Sequence, residues 1–529
     1  VKKSIAFACA ATIAAYVITT TQAQQPQYDL VVRNGRIVDG TGSPWYRGDI
    51  GVRGDTIAAI APSIPDAAGR VIDAGGQIVS PGFIDLHNHG RENIFELPTA
   101  DNYIRMGVTT IIEGPDGGSA VPLGEFLTKL DALQKSINIG SFVGQGSVRE
   151  AVLGRANRRP TPAELDKMRG IVDEAMKAGA FGMSTGLFYV PGAFTPIEEV
   201  IELAKVAAKY GGIHISHMRD EAFGVLDSVK ETIRIGEEGG LPTQVTHHKI
   251  VGPANYGKSV ETLKLLEAAR ARGVDATSDQ YPYTASSNAF VASMIPQWAQ
   301  EGGREQMLAR LKNPATRKEI AGETVRIIRE ERGGGDPKNV FLAHCDFDPA
   351  MAGKNLADVA KMRGMEPTAE NGAEAALWIV EQGHCQGVYH AMSEQDLERI
   401  MRHPATMIAS DGWVQILNRG VPHPRSYGTF ARVLGVYVRE RNVLTLEDAI
   451  RRMTSFPAQR IRMNDRGVLR PGMKADIVVF DPTRVKDMAT FEQPHQYAAG
   501  FSSVIVNGQL AFDGKAMTSA RPGRVVRRH

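Results

Sequence analysis

The chain has 529 residues, 43% hydrophobic and 23% charged, with a formal net charge of +2 at pH 7. That length holds two or three domains around a large core. The balanced charge excludes a dedicated nucleic-acid binder, which carries a basic stripe, and three cysteines are too few for a disulfide framework.

Residues 1–23 read as a secretory signal peptide. Lys2 and Lys3 open it, an apolar run follows, and "TQA" ending at Ala23 suits cleavage. No later stretch has about 18 uninterrupted apolar residues. The expectation is an exported protein, periplasmic or secreted, with no membrane partner after cleavage. Cys9 lies in this segment, which leaves Cys345 and Cys385 as either a pair or two free core thiols.

Residues 28–75 read as short β segments. "YDLVVRNGRIVDG" alternates apolar and polar residues and predicts a hairpin turning at Asn34-Gly35. The style returns over 463–515, in "GVLRPGMKADIVVFDPTR" and "FSSVIVNGQLAFDG". Two β-rich ends around a long middle predict one small β-sandwich closed by both termini. The basic tail "RPGRVVRRH" reads as a solvated terminus.

The middle, about 76–462, repeats strand and helix. "GVTTIIEG", "AFGMSTGLFY", "GIHISHMRD", "PTQVTHHKI", "VDATSDQYPY", "NVFLAHCD" and "ATMIASDG" look like strand ends, several followed by amphipathic helices. One helix is expected to be capped by Thr195. So many parallel units predict a (β/α)8 barrel. Residues 289–340 break the rhythm and predict an insertion beside the active site, acting as a lid.

Polar residues collect where barrel strands end: His87 and His89 in "PGFIDLHNHG", Glu113, Asp116, His217, His247 and Asp411. Residues i and i+2 of a strand face one side, so His87 and His89 can grip one ion. Imidazoles with carboxylates are zinc ligands. Asp85, on the same side as His87, is expected to orient a ligand, whereas His248 faces away from the side of His247. Arg219 reads as an ion-pair partner of Asp220 or Glu221, and Tyr189 and Tyr283 as pocket wall.

In this order, "PGFIDLHNH", "ISHMRDE", "VTHHK" and "SDG" resemble the amidohydrolase superfamily. Longer stretches, among them "STGLFYVPGAFTPIEE", "HHKIVGPANYGKSVETL" and "HPRSYGTFARVLGVYVRE", resemble the D-aminoacylases, or N-acyl-D-amino-acid deacylases. The resemblance implies zinc, one tightly bound ion with a second left open. His87, His89, His217 and His247 match its ligands and Asp411 its acid-base residue. Arg425 matches the arginine that receives the substrate α-carboxylate. Tyr281 and Ser287 match residues near that carboxylate, and Lys249 lies beside the metal cluster. Where the family has a ligating cysteine in "GNCG", this chain has "GVTTIIEGPDGG". Ungapped alignment puts Asp116 in that place, with Glu113 as the alternative ligand.

The implied activity is hydrolysis of the amide of N-acyl-D-amino acids, a small-molecule substrate, with Arg425 fixing the chiral centre. Two rivals stand beside it: an amidohydrolase acting on cyclic amides or dipeptides, and a non-catalytic barrel relative. The sequence does not fix the oligomeric state.

Overall fold

A computed structural model describes residues 27–65 and 68–528. The proposed signal peptide lies outside the described residues. Eight parallel strands form the barrel. The first group is Phe83–Asp85, Val108–Glu113 and Asn138–Ser141. The last of these continues past Phe142 as Val143–Gly144 into a second group of Gly182–Gly186, Ile213–His217, Thr243–Val245, Ala276–Gln280 and Thr406–Ile408. The ring closes just beyond the strands. Gly412–Trp413 pairs with Asn88–His89, and Asp411 N donates to His87 O at 2.8 Å. Closure therefore brings the first and last strand ends into direct contact.

Both chain ends build the second domain. Its sheet runs Gln509–Phe512, Phe501–Val506, Ile477–Phe480, Ile78–Pro81, Tyr28–Ile37, Tyr46–Arg53 and Thr56–Ala61, with Ala68–Asp73 also on Tyr28–Ile37. No hairpin forms at Asn34-Gly35. Instead Tyr28–Ile37 is one strand with a bulge there. Asn34 takes a left-handed φ of 56° and its N–H goes to Asp49 Oδ1 at 2.9 Å. The bulge forks the strand: residues before it pair with Ala68–Asp73, residues after it with Ile78–Pro81. A bulge of this kind turns a strand from one layer to another. The layers enclose their own core of Leu30, Val32, Ile50, Val52, Val79, Ile477 and Ile505.

The excursion from the barrel is longer than residues 289–340. It includes an antiparallel sheet of Ser286–Ala289, Cys385–Tyr389 and Val340–Cys345. "NVFLAHCD" thus ends a strand of this inserted sheet, not of the barrel. Helices Pro314–Glu330 and Ala369–Gln382 pack with it around Phe290, Ile320, Ile328, Leu342 and Leu377. Cys345 and Cys385 face each other across this sheet and are disulfide-bonded.

Two further expectations change. Thr195 does not cap Ile197–Lys209, whose N-cap is Pro196. Its hydroxyl instead accepts from Gln145 Nε2 at 3.1 Å. The basic tail is docked rather than solvated: Ile139 N donates to Arg524 O, and Val526 N to Ile139 O, both at 2.9 Å. The tail occupies backbone groups at the barrel floor that would otherwise be left unpaired. Among the described residues no helix is long and apolar enough to cross a membrane.

Candidate active site

The barrel places four imidazoles and two carboxylates around one point. His87 and His89 follow the first strand, Asp116 the loop after the second, His217 ends Ile213–His217, His247 follows Thr243–Val245, and Asp411 follows Thr406–Ile408. Two groups emerge whose ligand atoms lie within 4.8 Å of one another: His87, His89, Asp116 and Asp411, and Asp116, His217 and His247. Asp116 belongs to both. Its Oδ1 is 3.2 Å from His87 Nε2 and 3.5 Å from His247 Nε2, while Oδ2 is 3.5 Å from His217 Nδ1. Asp411 Oδ1 lies 3.2 Å from His89 Nε2 and 3.4 Å from His87 Nε2.

The backbone is bent to achieve this. Asp116, His247 and Asp411 have φ of 55°, 34° and 51°, a region that non-glycine residues rarely occupy. Such strain costs about 1–3 kcal/mol per residue and clusters at functional sites. Gly186 helps to seat the Asp116 loop, because a Cβ there would collide with the Asp116 carbonyl. Asp279 accepts His247 N–H at 2.6 Å and steadies the second bend.

Burial and neighbouring charges perturb several of these groups. Burial disfavours a charged His87, but Asp116 and Asp411 outweigh it and hold its pKa well above the ordinary value. Burial would raise Asp116, yet His87 and His217 hold it well below the carboxylate range. Asp411 is likewise held low against burial, chiefly by Arg425. Burial pushes His217 down to about 4. His87 Nδ1 and Nε2, Asp116 Oδ1 and His217 Nε2 are buried without hydrogen-bond partners. Buried polar atoms are rarely left so. Lone pairs converging from imidazole and carboxylate fit one or two divalent cations of the zinc class.

Glu113, the alternative ligand, lies outside both groups. The turn through Gly114 and Pro115 separates it from Asp116, and its carboxylate accepts from Ser141 Oγ on the adjacent strand. Burial raises it to about 7. Asp85 holds backbone rather than a ring: it accepts from His87 N at 3.1 Å and from Ser410 N at 3.1 Å. His248 turns away and meets Thr262 Oγ1 at 3.0 Å. Arg219 pairs with Glu231 at 2.8 Å, not with Asp220 or Glu221.

Arg425 is fully buried beside the cluster. Its Nη1 is 2.7 Å from Asp411 Oδ2 and its Nη2 donates to Ser287 O at 2.9 Å. The guanidinium lies 4.7 Å from the Tyr281 ring and 5.3 Å from that of Trp413, and its Nε has no hydrogen-bond partner. Ser287 meets Arg425 through its main-chain carbonyl. Tyr189 packs 4.6 Å from the His217 ring, and its hydroxyl is 3.5 Å from Asn288 Nδ2. Lys249 Nζ sits 2.5 Å from Glu221 Oε1 and 5.7 Å from the Tyr281 ring. Sequence reasoning missed Glu221 and Arg332. Glu221, four residues after His217 in "SHMRDE", offered a signal, whereas Arg332 lies in the insertion with no motif around it.

Residues 70–512 match the amidohydrolase family. The chain belongs to that family. It is 36% identical to a D-aminoacylase of Alcaligenes xylosoxydans xylosoxydans, over 96% of this chain and 99% of that protein. It is also 36% identical to an N-acyl-D-glutamate deacylase of the same organism, over 95% and 97%. Among solved structures it resembles the N-acyl-D-glutamate deacylase of Bordetella bronchiseptica, complexed with zinc and a phosphonate mimic of the tetrahedral intermediate. That match has a TM-score of 0.81 and 35% identity, over 94% of this chain and 99% of the other.

Proposed function

We propose that this amidohydrolase is a zinc-dependent N-acyl-D-amino-acid deacylase, releasing a carboxylic acid and a D-amino acid. The carrying observation is Arg425: a buried guanidinium whose Nε has no hydrogen-bond partner stands beside the two ligand groups. A linear acyl amide bearing an α-carboxylate presents an anion there, and a neutral ring amide does not. The relatives at 36% identity over nearly the whole chain support the same reading.

His87, His89, Asp116, His217 and His247 would hold the metal, Asp116 belonging to both ligand groups. Zinc bound there would supply Lewis acidity, for acidifying water and polarising a carbonyl oxygen. Asp411 Oδ1 faces the histidines while Arg425 holds Oδ2. Oδ1 therefore takes the proton of the attacking water and returns it to the leaving amine, as base and then acid. Arg425 receives the α-carboxylate in a charge-assisted fork, with Tyr281 and Ser287 beside it. Anchoring the carboxylate on one side of Asp411 fixes which substituent of the chiral carbon faces the protein, which selects D over L. Tyr189 walls the pocket on the His217 side, and Lys249 adds positive charge near Tyr281.

Export is part of the proposal. The basic and apolar start of the chain supports it, as does the Cys345–Cys385 bond, a bond that persists in oxidising compartments. The functional test compares N-acetyl-D-methionine with its α-carboxamide and with a ring amide. Hydrolysis of the acid at least about 100-fold faster than both is expected. Preference for the ring amide would favour the cyclic-amide rival.

A further inference from the structure

Behind the metal histidines, one fully buried carboxylate meets four nitrogen groups from three parts of the chain. Glu221 Oε1 is 3.2 Å from His247 Nδ1 and 2.5 Å from Lys249 Nζ. Glu221 Oε2 is 3.8 Å from His217 Nε2 and 2.8 Å from Arg332 Nη2. Both histidines thus show one ring nitrogen to Asp116 and the other to Glu221. His217 gives Nδ1 to the Asp116 side and His247 gives Nε2.

That orientation decides the tautomers. A neutral imidazole that gives one nitrogen to a cation carries its proton on the other. For His217 the proton is then on Nε2, and for His247 on Nδ1. Both are buried and both need acceptors. Lys249 Nζ lies 2.6 Å from His247 Nδ1, but an ammonium has no lone pair to offer. His217 Nε2 has no hydrogen-bond partner. Among the described residues, Glu221 brings an oxygen toward each, at 3.2 Å from His247 Nδ1 and 3.8 Å from His217 Nε2.

We propose that Glu221 is the positioning residue of the metal centre. Its Oε1 accepts from His247 Nδ1–H, and its Oε2, 3.8 Å from His217 Nε2, is the acceptor toward which that ring's N–H points, which orients both rings and both tautomers for zinc. Lys249 and Arg332 hold that carboxylate in place at 2.5 and 2.8 Å, and Arg332 is itself held by Ser286 Oγ at 3.2 Å. The inserted unit therefore reaches the metal centre through Arg332, Glu221 and the two histidines. The inference rests on the zinc reading above.

The test is zinc retention by the full chain under a series of competing chelator concentrations, with bound zinc counted by elemental analysis. Glu221→Gln leaves one ring nitrogen facing an amide N–H, and zinc retention is expected to fall about 10–100-fold, the usual effect of losing such a partner. Arg332→Met removes a cation but keeps both oxygens, and is expected to retain zinc within about 3-fold of the parent. Should Glu221→Gln not fold, Glu221→Asp loaded with cobalt is read instead: the shorter carboxylate is expected to alter the visible d–d bands and loosen the metal. Equal zinc retention by Glu221→Gln and the parent overturns the proposal. So does an equal fall in Glu221→Gln and Arg332→Met, which makes Glu221 merely a counter-ion, and so does an unaltered cobalt spectrum in Glu221→Asp. A parent protein that takes up no zinc overturns the zinc reading, and this inference with it.

Discussion

The barrel mouth and the barrel floor each bury a cluster of charged groups, and the two are built differently. At the floor, Asp476 Oδ1 accepts from Asn507 N at 2.7 Å, and Oδ2 from Arg466 Nη1 at 2.6 Å and Asn138 Nδ2 at 3.3 Å. The carboxylate there is satisfied by the protein alone, with Asn507 Oδ1 beside it the one acceptor of this cluster lacking a hydrogen-bond partner. At the mouth, Asp116 and Asp411 face imidazole nitrogens that offer lone pairs once a cation displaces their protons, over bent backbone, with buried atoms left without partners. A cluster that closes on itself contributes to stability and orientation of domains. A cluster of converging lone pairs is incomplete until a cation arrives. Burial and charge are common to both, so they do not distinguish a structural cluster from a site. The matching of donors to acceptors does.

Breaking each cluster should give opposite phenotypes. Asp411→Asn removes the base at the mouth, and turnover of N-acetyl-D-methionine is expected to fall about 10²–10⁴-fold with zinc content near that of the parent. Steady-state rates and elemental analysis on one preparation check this, and retained turnover would exclude Asp411 as the base. At the floor, Arg466→Met leaves Asp476 buried without its cation, and a loss of about 3–5 kcal/mol in stability is expected. Urea unfolding measures it. The rate per mole of folded protein should stay unchanged.

A smaller effect sharpens the comparison within the barrel wall. His214 is buried between Thr185 Oγ1 and Thr243 Oγ1, each at 2.9 Å. Burial, with a contribution from Arg460, lowers its pKa to about 3. In the unfolded chain it titrates near about 6.5. As pH falls from about 6.5 towards 3, the unfolded chain binds a proton that the folded one refuses, so stability falls. The contribution is at most about 1.4 kcal/mol per pH unit. Urea unfolding at pH 7, 6, 5 and 4 should show a shallower acid slope in His214→Asn. An unchanged slope would mean that His214 is not held neutral.

What the sequence revealed follows the range of each interaction. His87 and His89 were legible because strand geometry sets i and i+2 on one side. His217, His247 and Asp411 stood at strand ends, where a barrel puts its chemistry. Asp116 was favoured over Glu113 by its place in an ungapped motif. The fact that Glu113 turns to Ser141 depends on a neighbouring strand. The bulge at Asn34-Gly35 imitated a hairpin because both need a left-handed residue, and only the forked pairing with two later strands tells them apart. The inserted sheet was misjudged for a similar reason: "NVFLAHCD" is an apolar strand, and whether it joins the barrel depends on partners about 50 residues away. Glu221 was named only as a local pair for Arg219. Its link to Arg332 spans 111 residues and has no periodicity to betray it.

The mouth cluster is completed by a metal and hydrolyses amides of one hand. The most direct measurement is hydrolysis of N-acetyl-D- and N-acetyl-L-methionine by the protein as purified, after chelation, and after zinc is restored. Chelation is expected to abolish hydrolysis, and zinc to restore it for the D substrate alone. Undiminished hydrolysis after complete removal of metal, or equal rates on the two enantiomers, would contradict it.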